Sequence, residues 1–131
     1  KLHFNDSGLC AFLMGMQTLD DLYSSPLNGA LWETSVFTEI RKLLSFDGGW
    51  NLSFWRDRTK EADFHFARAG KMKIADAKWS ENATSSGKLP LVQRDIGNQP
   101  PAAIISRTAN SYPMKDGTEN VCLLDIQKFL S

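Results

Sequence analysis

The sequence has few cysteines, no excess of charge of either sign and no long apolar run. Of its 131 residues only two are cysteines, Cys10 and Cys122, which is too few for a disulfide-stabilised scaffold or a cysteine-rich zinc site. Lysine and arginine number 15, as do aspartate and glutamate, so the chain is not a uniformly basic nucleic-acid-binding protein. The longest apolar stretch, residues 9–16, is too short to span a bilayer.

These absences favour a single soluble domain in the cytoplasm that does not contact a membrane. Hydrophobic residues make up 42% of the chain, which is enough for a substantial core at this length. No basic segment followed by an apolar one marks a secretory signal at the start. Because the first residue is Lys1 rather than methionine, we expect the sequence to be part of a longer protein.

The spacing of apolar residues predicts an α/β protein with a layered sheet. Strands flanked by helices on both sides are typical of this class. Connectors are predicted at residues 20–29, 80–87 and 110–118, with Asn28 as a helix cap and Gly97 as a helix stop. Helices are predicted at residues 9–16, 30–45, 90–96 and 126–130, and strands at residues 52–56, 61–67, 72–79, 102–106 and 121–125.

The hairpin formed by the second and third strands places two acids side by side. A turn centred on residues 69 and 70 puts Asp63 opposite Asp76 and Glu61 opposite Lys78. Directly opposed side chains have Cβ atoms about 4.5–5.5 Å apart, and like charges at that distance repel. A bound divalent cation would remove the repulsion. The alternative is a surface strand pair in which both acids simply face water.

Glu33 is a third candidate acid, on the helix predicted at residues 30–45. At 100° per residue it falls inside the apolar stripe of its helix, among residues such as Phe37 and Ile40. A carboxylate in such a position needs a partner or a metal ion. The alternatives to a metal are a salt bridge to Arg56 and a hydrogen bond that caps a backbone group in the core. Glu33, Asp63 and Asp76 therefore form a candidate site for Mg²⁺ or Mn²⁺.

The same residues resemble a known family. Asp63 precedes the triplet Asp76-Ala-Lys78 by thirteen positions and follows a helix that carries Glu33, which resembles the PD-(D/E)XK nuclease superfamily. One branch is especially similar, the nuclease-like domain found C-terminal to the ATPase module of prokaryotic AAA+ ATPases. The segments that carry this similarity are residues 4–9 (FNDSGL), 29–36 (GALWETSV), 54–57 (FWRD), 61–64 (EADF) and 74–80 (IADAKWS).

The resemblance implies a restriction-endonuclease-like fold, with a central mixed sheet flanked by helices. Residues 1–24 would lead from an ATPase region that precedes Lys1, and residues 25–131 would form the nuclease-like domain. Glu33, Asp63 and Asp76 would be catalytic and bind the metal, and Lys78 would be the catalytic lysine. Asp76 departs from the pattern, because this branch usually has glutamate there.

The implied function is Mg²⁺-dependent hydrolysis of phosphodiester bonds in nucleic acid. Lys78 would orient the attacking water or offset the charge that grows on the phosphoryl group. The implied partners are nucleic acid and the ATPase module of the same chain, with ATP bound only in that module and oligomers formed through it. The alternative is a catalytically inactive module that docks the ATPase onto nucleic acid or protein.

Local charge supports a nucleic-acid partner, although a solvated surface is the alternative. Residues 68–94 contain six lysines and arginines and two acids. Among the other residues, we expect His65 to be hydrogen-bonded structure rather than a ligand, and both cysteines to be buried. The four tryptophans are expected to pack in or beside the core, with Trp79 of interest because it follows Lys78.

Overall fold

The computed structural model describes residues 1–46 and 48–131 of the chain. Its elements, in chain order, are α1 (Ser7–Leu13), α2 (Leu19–Ser24), α3 (Asn28–Phe46), β1 (Asn51–Asp57), β2 (Lys60–Arg68), β3 (Lys71–Ala77), α4 (Leu89–Ile96), β4 (Ala102–Ser106), β5 (Tyr112–Pro113), β6 (Glu119–Cys122), a 3-10 turn (Leu123–Asp125) and α5 (Ile126–Leu130).

Six strands form one mixed sheet in the order β1-β2-β3-β4-β6-β5. The β1–β2, β2–β3 and β5–β6 pairs are antiparallel, whereas β3–β4 and β4–β6 are parallel. Helices α3 and α5 cover one face and α4 covers the other. This architecture confirms the predicted layered α/β fold with a central mixed sheet flanked by helices.

Two apolar clusters hold the layers together, one on each face of the sheet. Every residue of β4 is buried, which explains why this strand has no polar alternation. The cluster under α3 and α5 includes Val36, Ile40, Phe64, Phe66, Ala75, Ile105 and Ile126. The cluster under α4 includes Ala62, Ile74, Leu89, Val92 and Ile104. The sheet therefore carries α3, and with it Glu33, at a fixed position.

The connector predicted for residues 20–29 is only partly right, because the short helix α2 extends to Ser24 and α3 begins at Asn28. Thr18 and Asp21 form a reciprocal capping box. The Thr18 hydroxyl accepts from the Asp21 amide at 3.1 Å, and the Asp21 carboxylate accepts from the Thr18 amide at 2.9 Å. Two backbone donors that a helix start leaves unpaired are thereby satisfied. The polar composition of this segment predicts a connector, but the capping box stabilises a short helix there.

The first helix is shorter than predicted and buries little. It ends at Leu13 rather than Met16, because Gly15 adopts φ +77° and its amide bonds back to Phe12. The amide of Met16 bonds to Ala11, which completes a Schellman motif. Of the helix only Cys10 is buried.

The predicted strand at residues 121–125 and the loop at residues 110–118 are also partly wrong. The strand runs from Glu119 to Cys122, the chain then turns in a 3-10 conformation, and a two-residue strand lies inside the loop. Ser111 accepts a hydrogen bond from the Cys122 amide at 2.9 Å, and Leu124 is exposed. The apolar residues Leu123 and Leu124 extend the sequence pattern of a buried strand. In the structure Leu123 packs against the core, whereas Leu124 faces solvent.

Candidate functional site

A β-bulge positions Asp63. One residue of β1, Phe54, lies opposite two residues of β2, Asp63 and Phe64. The bulge reverses the alternation of β2, so that Phe64 packs under α3 whereas Ala62 packs under α4. Bulges of this kind redirect side chains and release a backbone amide from the ladder. At this point of β2, both the amide and the carboxylate of Asp63 are available for other contacts.

Asp63 and Asp76 are neighbours, as the predicted hairpin register requires. The register is confirmed from Arg68–Lys71 to Phe64–Ala75, where the described ladder ends. Beyond it, the Asp63 amide donates to Asp76 Oδ1 at 2.9 Å. The amide of the residue after Asp76 donates in turn to Asp63 Oδ2 at 3.0 Å. Side-chain hydrogen bonds thus replace the ladder where the acids meet.

The second predicted pair, Glu61 with Lys78, is not among the paired residues of β2 and β3 in the part of the chain that the structure describes. The bulge shifts the register of β2 at this end, and β3 ends at Ala77 rather than at Trp79. Glu61 instead lies 3.7 Å from the Nε atom of Arg56. Among the described residues Glu33 pairs with Lys1 and not with Arg56, so the predicted salt bridge of Glu33 exists but with a different cation.

Lys1 is the cation that pairs with Glu33, and it also pairs with Asp63. Its Nζ atom lies 2.8 Å from Glu33 Oε1, 2.7 Å from Asp63 Oδ1 and 4.9 Å from the centre of the Phe54 ring. Burial alone would lower the pKa of Lys1, but the hydrogen bonds and charges of Asp63 and Glu33 outweigh it and raise the pKa above its ordinary value. The two acids thus face one common positive charge.

Sequence reasoning missed Lys1 because its partners lie 32 and 62 positions away. The one available signal was the carboxylate of Glu33 inside an apolar stripe, which requires a partner but does not say which. His3 adds to this end of the site, with its Nε2 atom 3.7 Å from Glu33 and its ring stacked on Phe37 at 4.4 Å. Burial lowers the pKa of His3.

Helix α3 holds Glu33 at the carboxyl ends of the parallel strands. The preceding residue, Trp32, donates from its indole nitrogen to the carbonyl of Ile105 in β4 at 3.0 Å. The Lys78 amide, just beyond the end of β3, donates to the same carbonyl oxygen at 3.0 Å. The Trp32 side chain, next to Glu33, and the Lys78 backbone amide therefore share one carbonyl acceptor, which brings the start of α3 close to the end of β3.

Asp76 has the most altered acidity in the described part of the chain. Burial, followed by the negative charge of Asp63, raises its pKa to about 7. The hydrogen bond from the Asp63 amide and the charges of Lys78 and Lys1 oppose this rise only in part. A carboxyl group with this pKa can gain or release a proton near neutral pH, which suits acid–base chemistry or metal binding.

A basic cavity of about 470 Å³ opens beside Asp76 and Lys78. Its other charged lining residues are Arg56, Arg58, Lys60, Glu61 and Lys88. Lys60 is paired with Asp95, and Lys88 donates to the Thr59 carbonyl at 3.0 Å. Within residues 1–46 and 48–131, Lys78 and Arg58 have no ion-pair partner. A Cβ added to Gly87 would lie 3.1 Å from Lys78 Nζ, so glycine leaves room for this ammonium.

The structure arranges the predicted site residues in a row rather than around one point. Glu33 and Asp63 share Lys1, Asp63 touches Asp76, and Asp76 lines the basic cavity with Lys78. Asp63 lines a different cavity, of about 270 Å³, with Lys1 and residues from the α3 side. In the described ranges, no three acid, histidine or cysteine side chains form a group that could hold a metal ion.

The donor chemistry nevertheless fits a hard cation at Glu33 and Asp63. Two carboxylates from different elements already contact a single positive charge, the Lys1 ammonium. Carboxylate oxygens are the protein ligands that Mg²⁺ and Mn²⁺ prefer. Asp76 is a further carboxylate beside Asp63, since its Oδ1 accepts from the Asp63 amide.

Residues 28–128 match the family model described as "Domain of unknown function (DUF4143)". The chain belongs to this family. The domain is found in AAA-ATPase-associated proteins. Glu33, Asp63, Asp76 and Lys78 all lie within the matched residues of the DUF4143 domain, whereas Lys1 precedes them. Searches of the curated proteins and of the solved structures found no match.

The remaining residues that the sequence drew attention to have structural contacts in this DUF4143 chain. His65 Nδ1 lies 3.0 Å from the Ser53 hydroxyl, as expected for a hydrogen-bonded histidine. The Trp79 ring is covered by the guanidinium of Arg107 at 3.8 Å, so that face is not open for base stacking. Both cysteines are buried and unpaired, as predicted. Among the described helices, none is both long and apolar enough to cross a membrane.

Proposed function

We propose that this DUF4143 domain binds nucleic acid in the basic cavity and hydrolyses its phosphodiester bonds with a divalent cation. The observation that carries the proposal is the contact of Asp63 with Asp76 at the edge of a cavity that also contains Lys78. The resemblance to PD-(D/E)XK nucleases supports the same assignment of roles. Mg²⁺ and Mn²⁺ are the expected cations.

The cavity suits a phosphate backbone. Five cationic side chains and two acidic ones line it, and Lys78 and Arg58 have no ion-pair partner among the described residues. Phosphate contacts from lysine and arginine supply most of the sequence-independent affinity for nucleic acid. Arg58 and Lys60 at the β1–β2 turn thus line the same cavity as Lys78 and Lys88, which belong to the basic segment noted in the sequence at residues 68–94.

Asp63, in the middle of the row of acids, would hold the cation together with Glu33 on one side or Asp76 on the other. When bound, such a cation polarises a phosphoryl oxygen and lowers the pKa of a coordinated water. Hydrolysis joins the water oxygen to phosphorus, breaks the bond to the leaving oxygen and transfers a proton to the leaving group. Lys78 would offset the negative charge that develops on the phosphoryl oxygens, since its ammonium faces the cavity.

The cellular setting is also a proposal. We infer that the domain acts in the cytoplasm, joined in one chain to an AAA+ ATPase module that binds ATP and forms oligomers. The occurrence of the family in AAA-ATPase-associated proteins supports this setting.

A cleavage assay tests the activity. Single- and double-stranded DNA and RNA are incubated with Mg²⁺ or Mn²⁺ and the wild-type protein, Asp63→Ala, Lys78→Met or the control Lys115→Met. We expect cleavage by wild type and control, and a loss of about 100-fold or more in both site variants, because each removes charge stabilisation at the reacting group. Equal activity in all four proteins, or none in any, would contradict the hydrolytic role.

A second candidate is a non-catalytic docking module, and one observation favours it. The first two helices expose large apolar side chains that a partner would cover, namely Leu9, Phe12, Leu13, Leu19 and Tyr23. If this function holds instead, calorimetry shows no heat with Mn²⁺ while nucleic acid or a protein partner still binds.

A further inference from the structure

Lys1 lies outside the matched family residues, yet its ammonium is central to the acidic site. It donates to Glu33 at 2.8 Å and to Asp63 at 2.7 Å, and the Phe54 ring lies beneath it at 4.9 Å. The lysine side chain is only 27% exposed, and the Asp63 side chain is 13% exposed. The contact is therefore partly buried, and its two acids come from different elements of the fold, α3 and β2.

The ammonium and a metal ion would need the same space. A divalent cation bonds carboxylate oxygens at about 2.0–2.6 Å, which is slightly shorter than the contacts that Lys1 makes. A cation bound to Glu33 Oε1 and Asp63 Oδ1 would therefore lie almost where the Lys1 ammonium now lies. Two positive charges at that separation repel strongly in a partly buried site.

We propose that Lys1 is a built-in counter-ion that competes with the divalent cation for Glu33 and Asp63. Its ammonium neutralises the two acids when no metal is bound, and it must leave them before they can bind one. The long, flexible stem of lysine allows this movement without a change in the fold. The inference rests on the proposed function, because it takes Glu33 and Asp63 to be metal ligands.

The competition predicts that removing the ammonium strengthens metal binding. Binding of Mn²⁺ is measured by calorimetry, without nucleic acid, for the wild type, Lys1→Met, Lys1→Met with Glu33→Gln, and Lys42→Met. Lys42 is a matched control, because it pairs with Glu39 on the exposed side of the same helix as Glu33. We expect Lys1→Met to bind Mn²⁺ about tenfold more tightly, since two ion pairs no longer have to be broken.

The other variants fix the location of the effect. Lys42→Met is expected to match the wild type, and adding Glu33→Gln to Lys1→Met should abolish the gain. Unchanged or weaker Mn²⁺ binding by Lys1→Met, or no binding by any variant, would overturn the competition. The cleavage assay reports separately on the proposed function: a wild-type protein that cleaves while Lys1→Met shows no gain in affinity contradicts only the role of Lys1. Circular dichroism confirms that each variant is folded.

Discussion

Replacing Asp76 with asparagine is expected to stabilise the protein at pH 8 by about 2–4 kcal/mol, because the folded protein raises the pKa of this carboxyl group to about 7. At pH 8 the wild-type carboxylate is ionised although it is buried and lies beside the charge of Asp63. Asparagine removes the charge, has nearly the same shape, and keeps an oxygen that can accept from the Asp63 amide.

The gain should depend on pH in a defined direction. The pKa of Asp76 is higher in the folded state than in an unfolded chain, so the folded protein keeps this carboxyl group protonated up to a higher pH. The free energy of unfolding of the wild type therefore falls as the pH rises from about 4 to about 7. The asparagine variant does not lose stability in this way, because its amide does not ionise. The difference between the two proteins is therefore largest above pH 7 and shrinks as the pH falls toward 4.

Urea unfolding in the presence of EDTA, repeated between pH 5 and pH 8, measures this difference without interference from metal. Asp57→Asn is a suitable control, because Asp57 is an exposed acid at the end of β1. A stability difference for Asp76→Asn that does not change with pH would show that Asp76 is not a strained buried carboxylate.

Truncating Ile40 to alanine is expected to lower the free energy of unfolding by about 2–5 kcal/mol. Ile40 is fully buried on the inner side of α3, where it packs in the cluster that includes Phe64 and Ile105. The substitution removes buried apolar surface and leaves a cavity in the layer that fixes α3 on the sheet. For a domain of this size, such a loss is a large part of the total stability.

Urea midpoints of the wild type, Ile40→Ala and Phe46→Ala check this expectation. Phe46 ends the same helix but is 91% exposed, so its truncation should change stability by less than about 0.5 kcal/mol. Equal losses for the two variants would mean that α3 is not anchored through its buried face. Because α3 carries Glu33, its anchoring also matters for the site.

Much of the fold follows from local patterns. The turn after β2 fixes the hairpin register, so that the meeting of Asp63 and Asp76 could be predicted from their spacing alone. The stripe on α3 and the apolar run of β4 identify a buried helix face and a central strand. These predictions hold because each depends on periodicity within one element or across one short turn.

The parts that sequence reasoning missed depend on contacts between distant segments. The bulge at Asp63 arises from the pairing of β1 with β2 and is invisible in β2 by itself. The contact of Lys1 with two acids, and the contribution of Arg58 to the basic cavity, require the tertiary arrangement. The helix α2 was missed for a different reason, because a two-residue cap outweighed the composition of its segment.

The claim that Asp63 binds a divalent cation together with Glu33 or Asp76 can be tested by diffraction. Crystals of the protein are soaked in excess Mn²⁺, and anomalous differences are recorded near the manganese edge. We predict a peak bonded to a carboxylate oxygen of Asp63 and to one of Glu33 or Asp76, with the Lys1 ammonium moved away. Mn²⁺ bound only at other positions, with Lys1 still between Glu33 and Asp63, would contradict the account.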